Sequence, residues 1–94
     1  MEEKLVSIIT PMYKGAALVG QTIESVLAQS YKNWEMIIVD DCSPDNGAGA
    51  DVVQSYDDKD SRVKLIRAKV NRGSSGARNQ AMEVAKGQYF AFLD

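Results

Sequence analysis

Trp34-Glu35-Met36-Ile37-Ile38-Val39, followed by Asp40-Asp41-Cys42-Ser43-Pro44-Asp45-Asn46-Gly47, is the stretch that decides the fold. Met36 to Val39 is apolar without alternation. That pattern marks a strand buried on both faces, as in a parallel sheet covered by helices. The polar run after it is a turn. Toward the N-terminus, Leu5-Val6-Ser7-Ile8-Ile9-Thr10 is a β-branched run that stops at Pro11, a strand with a breaker at its end. Between the two strands, Val19, Ile23, Val26 and Leu27 recur at i, i+4, i+7 and i+8, which predicts a helix from about Ala17 to Ser30. Toward the C-terminus, Val52, Val53 and Tyr56 mark a second helix ending near Asp57 to Asp60. Val63 to Ile66 is a third strand, whose Lys64 suits an edge. Asn71 to Gly76 reads as a loop. Ala77, Ala81, Val84 and Ala85 then form the small-residue stripe of a third helix, with Gly87 as its cap. Tyr89 to Leu93 is a fourth strand.

Strands and helices that alternate in this way predict an α/β fold. The expected architecture is a Rossmann-like, doubly wound parallel sheet with strand order 3-2-1-4 and right-handed crossovers. The first two helices cover one face and the third covers the other. Such sheets bind ligands outside the carboxyl ends of the strands, at the switch point beside the first strand. Candidate residues are therefore those just after each strand: Thr10, Pro11 and Tyr13, then Asp40 and Asp41, then Asn71 and Arg72 leading to Arg78, and finally Asp94.

Composition narrows the chemistry. The chain has 94 residues, 45% hydrophobic and 26% charged, which fits one modest globular domain, residues 1–94. Its 11 basic and 13 acidic residues give a net charge of −2, against a nucleic-acid partner. With no histidine and one cysteine, Cys42, the chain has no histidine-dependent zinc site, no Ser-His or Cys-His nucleophile pair and no internal disulfide. Its apolar runs are too short for a transmembrane segment, and the acidic start Met1-Glu2-Glu3-Lys4 is wrong for a secretory signal. A cytoplasmic location is expected, with the full-length protein membrane-associated.

The residues at the carboxyl edge suit a nucleotide. A tyrosine face stacks on a base, a carboxylate accepts from a base imide or ribose hydroxyl, and an arginine pairs with a diphosphate. Each also has a plainer role: a loop tyrosine packs, an Asp-Asp pair forms a turn or helix cap, and Arg78 sits on a helix surface. Thr10-Pro11-Met12-Tyr13-Lys14-Gly15-Ala16-Ala17 carries neither a G-x-G-x-x-G nor a Walker A pattern. A bound diphosphate would then need a divalent cation held by carboxylates.

Five blocks together resemble the family 2 glycosyltransferases of GT-A fold. Val6 to Tyr13 looks like the opening strand and P-x-Y-N turn. Ser25-Val26-Leu27-Ala28-Gln29-Ser30-Tyr31 resembles S-V-L-x-Q-T-Y, and Glu35 to Asp45 resembles E-I-I-V-V-D-D-G-S-x-D. Asn71-Arg72-Gly73 with Ala77-Arg78-Asn79 matches N-x-G-x-x-x-A-R-N, and Gly87 to Asp94 looks like G-x-Y-I-x-F-L-D. The chain departs from this pattern at Lys14, where Asn is usual, and at Cys42, where Gly is usual. The resemblance implies the N-terminal, nucleotide-sugar-binding half of a GT-A domain. The domain would be incomplete, with the acceptor half absent.

In that reading Tyr13 stacks on the base, Thr10 and Pro11 shape its pocket, Asp41 accepts from the base and Asp40 shapes the turn. Arg78 lies near the diphosphate. Asp94 is the first Asp of the D-x-D motif, facing ribose and the metal shell. The implied reaction is an inverting, metal-dependent (Mg or Mn) transfer from a nucleotide-diphospho-sugar, with a UDP-sugar as the first expectation. No catalytic residue is assigned, because the family keeps its base in the acceptor half. The 94 residues alone are expected to be inactive. Two alternatives stand beside this reading: a dinucleotide-dependent oxidoreductase fragment with Asp40 or Asp41 on a ribose, and a non-catalytic nucleotide-binding module. The apolar fourth strand and a half-covered sheet face also predict a homo-oligomer.

Overall fold

The computed structural model describes residues 4–93. Four strands, β1 (Val6–Met12), β2 (Trp34–Asp40), β3 (Val63–Arg67) and β4 (Tyr89–Phe92), alternate with α1 (Val19–Ala28), α2 (Ala48–Asp57) and α3 (Gly73–Val84). The sheet is parallel with order β3-β2-β1-β4. β2 lies inside it, and all seven of its residues are buried, as its unbroken apolar run requires.

The two faces sort by residue parity. Met12, Trp34, Met36 and Ile38 pack with Val63 against Val19, Ile23 and Val26 of α1 and Val53 of α2. Ile9, Ile37 and Val39 pack on the opposite face against Ala77 and Ala81 of α3. The alanine stripe keeps α3 close to the sheet. Fully burying each of the large aliphatics is worth about 1.5–3 kcal/mol, so β2 anchors both cores.

β1 runs two residues further than the Pro11 break implies. The Ile9 carbonyl accepts from the Leu93 N–H at 3.0 Å, so odd positions of β1 bond toward β4. Pro11 faces the same side, beyond Ile9↔Phe92, where the β1·β4 register ends. It has no N–H to give on that side. Pairing with β2 continues to Met12↔Asp40.

Helix α1 holds the whole apolar stripe but is shorter than the expected Ala17 to Ser30, ending where the backbone turns extended at Gln29, whose side chain accepts from the Tyr31 N–H at 3.0 Å. Helix α3 starts four residues before the expected Ala77. Its first turn takes in Gly73 to Gly76, part of the expected loop.

Gly87 is not the expected helix cap. Helix α3 ends at Val84 with an extended Ala85 after it, and Gly87 is not among the positive-φ residues. A Cβ on Gly87 would lie 2.4 Å from Ser7 Oγ and 2.8 Å from Ser7 N. Glycine is needed there because β1 passes too close.

The same corner holds a buried carboxylate, Glu35. It accepts from Ser7 Oγ at 2.6 Å and from the Lys86 N–H at 2.6 Å on one oxygen, and from Lys64 Nζ at 2.9 Å on the other. The Gly87 N–H donates to Ser7 Oγ at 2.9 Å. One network thus joins β1, β2, β3 and the entry to β4.

On β4 Tyr89, Phe90 and Phe92 are exposed, as is Leu93 just after it, and the two phenylalanines lie on the α3 face by their register with Ser7 and Ile9.

Two outcomes follow from this corner. Gly87→Ala forces backbone movement beside β1 and should cost about 1–3 kcal/mol in urea unfolding. Burial alone would raise the Glu35 pKa, but hydrogen bonds from Ser7, the Lys86 N–H and Lys64 hold it below its ordinary 4.5. A carboxyl with a lowered folded pKa stabilises above its unfolded value and loses that contribution as pH falls through the folded one. Glu35→Gln should therefore be less stable than the parent at pH 7 by about 1–3 kcal/mol. The gap should narrow as the pH drops below about 4.5, measured by denaturant melts across pH.

Candidate functional site

The carboxyl ends of β1 and β2 lie side by side, and two turns leave them. After β1 the chain reverses at Lys14, a left-handed residue with φ +56. Tyr13, just before it, is 49% exposed, with the Lys14 ammonium 5.5 Å from its ring centroid. After β2 the chain passes Asp40 and Asp41, both buried, and reverses at Cys42, also left-handed with φ +57. The Asp41 N–H donates to the Met12 carbonyl at 2.9 Å, which holds the two turns together.

Asp41 reaches a third element. One oxygen accepts from the Arg72 N–H at 2.9 Å and the other from the Gly73 N–H at 2.9 Å. It caps α3 from 31 residues away, beside a local acceptor, Asn71 Oδ1, which takes the same Gly73 N–H at 3.1 Å. Gly73 takes φ +76 at this start, a conformation that favours glycine. A carboxylate there also meets the positive end of the helix dipole. Each oxygen keeps a second lone-pair direction, so Asp41 can accept one more donor.

Asp40 faces its own turn. Its Oδ1 accepts from Ser43 Oγ at 2.5 Å and from the Ser43 N–H at 3.3 Å. Ser43 Oγ in turn accepts from the Lys14 N–H at 2.9 Å. The start of α2 is served by Asp45, which accepts from the Gly47 and Gly49 N–H groups, both at 3.1 Å. Asp45, not Ser43, serves the start of this helix.

Two open cavities meet at Tyr13. One, about 200 Å³, is lined by Pro11, Met12, Tyr13, Asp41 and Ser74. The other, about 210 Å³, runs from Thr10 and Tyr13 along α1 to Leu18 and Thr22. Either alone is below the roughly 300 Å³ at which small-molecule sites begin, and the pair reaches it. Thr10 lines the second cavity, and its buried Oγ1 has no hydrogen-bond partner among the described residues. A buried hydroxyl left so costs about 1–3 kcal/mol, which a ligand group could recover.

The structure thus brings Thr10, Pro11, Tyr13 and Asp41 together. Arg78, half-buried within α3, lines neither cavity. Asp94 lies outside the described residues. Ser43 and Ser74 join the site without having been read as part of it. Neither has a sequence signal of its own: Ser43 acts through a contact 29 residues away, and Ser74 enters because Asp41 starts α3 early.

Among the described residues no three His, Cys, Asp or Glu side chains gather to hold a metal. Asp40 and Asp41 already accept from protein donors, so the described residues do not by themselves fit a metal ion. Nor is any helix among them long and apolar enough to cross a membrane.

Known proteins are similar to this chain in sequence and fold. The Escherichia coli UDP-Glc:alpha-D-GlcNAc-diphosphoundecaprenol beta-1,3-glucosyltransferase WfgD is 42% identical over 94 residues, 100% of this chain and 36% of that protein. Staphylococcus aureus TarS 1-349 in complex with UDP superposes with a TM-score of 0.83 at 28% identity, over 95% of this chain and 26% of the other. The Pyrobaculum calidifontis mannosyltransferase PcManGT, in complex with GDP-Man and Mn2+, shares the fold with a TM-score of 0.83 at 24% identity, over 96% of this chain and 27% of the other. The chain spans about a third of the length of the curated relatives it matches. The pattern of Glycosyl transferase family 2 matches residues 7–94, and the chain belongs to that family.

Proposed function

We propose that these residues form the donor-binding half of an inverting glycosyltransferase that takes a nucleotide-diphospho-sugar, with a UDP-sugar as donor. The observation that carries the reading is the meeting of an exposed Tyr13 ring, the Asp41 carboxylate and the unpartnered Thr10 hydroxyl around two adjoining cavities at the switch-point edge. The Tyr13 ring offers a face for the base. Asp41 accepts the base imide N–H on a free lone pair while it keeps its two bonds to α3. Thr10 offers a hydroxyl and Pro11 a wall. Arg78 stands further along α3, toward the diphosphate. The UDP in the TarS complex and the UDP-Glc in the name of the E. coli relative support a uridine donor.

A divalent cation, Mg or Mn, belongs to this proposal through Asp94. The Mn2+ in the mannosyltransferase complex supports it. Such an ion would offset the charge of the leaving diphosphate. The residues described here bind and orient the nucleotide; none of them is assigned the removal of the acceptor proton. Membership of a glycosyltransferase family favours transfer over the dinucleotide-oxidoreductase alternative.

Calorimetric titration of the intact protein tests the reading. UDP should bind, and Tyr13→Ala should weaken it about tenfold, since base–aromatic stacking is worth about 1–3 kcal/mol. Asp41→Asn should weaken binding and also lower stability by about 1–2 kcal/mol through the lost helix cap. Unchanged affinity in Tyr13→Ala would remove the stacking role.

A further inference from the structure

We propose that Ser43 is a positioning residue for the Tyr13 ring, holding the base platform through the backbone of the neighbouring turn. The inference rests on the nucleotide reading of the site and adds to it a residue that lines neither cavity. Tyr13 is exposed, and apart from the Lys14 ammonium its side chain has no polar partner among the described residues. Its direction is therefore set by the backbone that carries it. That backbone turns at Lys14, whose φ of +56 is disfavoured for a side chain with a Cβ. Such a conformation persists only where its surroundings fix it.

The fixing contact is the 2.9 Å bond from the Lys14 N–H to Ser43 Oγ. Ser43 is itself held twice by Asp40 Oδ1, at 2.5 Å through its hydroxyl and 3.3 Å through its N–H. Asp40 is buried at the end of β2, within the rigid sheet. The path from sheet to ring is thus Asp40, Ser43, the Lys14 amide, Tyr13. Direction of donation matters. Ser43 gives its only hydroxyl proton to Asp40, which leaves its oxygen to accept from Lys14. Alanine at 43 breaks both bonds, and threonine keeps both.

The test is a double-mutant cycle on UDP and GDP affinity in the intact protein, read by calorimetry with thermal melts alongside. Ser43→Ala should weaken binding about three- to tenfold, the size of one hydrogen bond, at temperatures where the variant remains folded. Ser43→Thr should bind within about twofold of the parent. Because Ser43 acts through the ring, Tyr13→Ala with Ser43→Ala should bind no more weakly than Tyr13→Ala alone. If Ser43→Ala does not fold, Ser43→Cys keeps the volume, weakens the acceptor and carries the same comparison. Parent-like affinity in Ser43→Ala, or a loss that adds in full to that of Tyr13→Ala, would overturn the inference while the site reading stands. Failure of the parent to bind either nucleotide would overturn both.

Discussion

The Asp41 carboxylate is the joint on which the functional edge depends. It leaves the end of the most buried strand and accepts from two backbone amides at the start of α3, 31 and 32 residues later. Without that acceptor the Arg72 amide would lose its partner and the Gly73 amide would keep only Asn71 Oδ1. With it, α3 begins at Gly73, Ser74 enters the cavity beside Tyr13, and the third element of the site is fixed against the first two. The bond also places a carboxylate with spare acceptor capacity beside an exposed aromatic ring. Structural capping and ligand recognition are therefore compatible roles of one side chain.

The opposite end of the sheet is organised by a second buried carboxylate. Glu35 gathers Ser7, Lys64 and the amide of Lys86, and Gly87 passes Ser7 with no room for a Cβ. That end sets where β4 enters the sheet, and β4 leads directly to Asp94. The two acids of β2 and its following turn thus hold both ends of the α3–β4 unit against the first two strands.

The fold was legible because its signals are local. Val19, Ile23 and Val26 have one helical face, Met36 to Val39 shows no alternation, and Ala77 with Ala81 makes a close-packing stripe; each maps onto its element in the structure. The misreadings have a common origin in contacts distant in sequence. Gly73 to Gly76 looked like a loop because one of its two capping acceptors, Asp41, lies more than 30 residues away, the other being Asn71. Gly87 looked like a left-handed cap because its real constraint is Ser7, 80 residues away. Pro11 reads as the end of a strand, yet the pairing of β1 with β2 runs past it to Met12. For the site, Thr10, Pro11, Tyr13 and Asp41 could be placed by topology, whereas Ser43 could not, since its partner is the amide of Lys14 in another turn.

The two departures from the family pattern share a backbone state. Lys14 and Cys42 stand where Asn and Gly are usual, and both have φ near +56. Asn and Gly are the residues that tolerate that region best. The turn geometry is kept here at the cost of some strain, held by Ser43 on one side and by the contacts of Asp41 on the other. The most direct measurement of the central claim is a crystal structure of the intact protein with UDP. The account requires the base on the Tyr13 ring with its imide within hydrogen-bond distance of Asp41, and Asp41 still accepting from the Arg72 and Gly73 amides. A base bound away from Tyr13, or an Asp41 that must release α3 to reach it, would contradict the account.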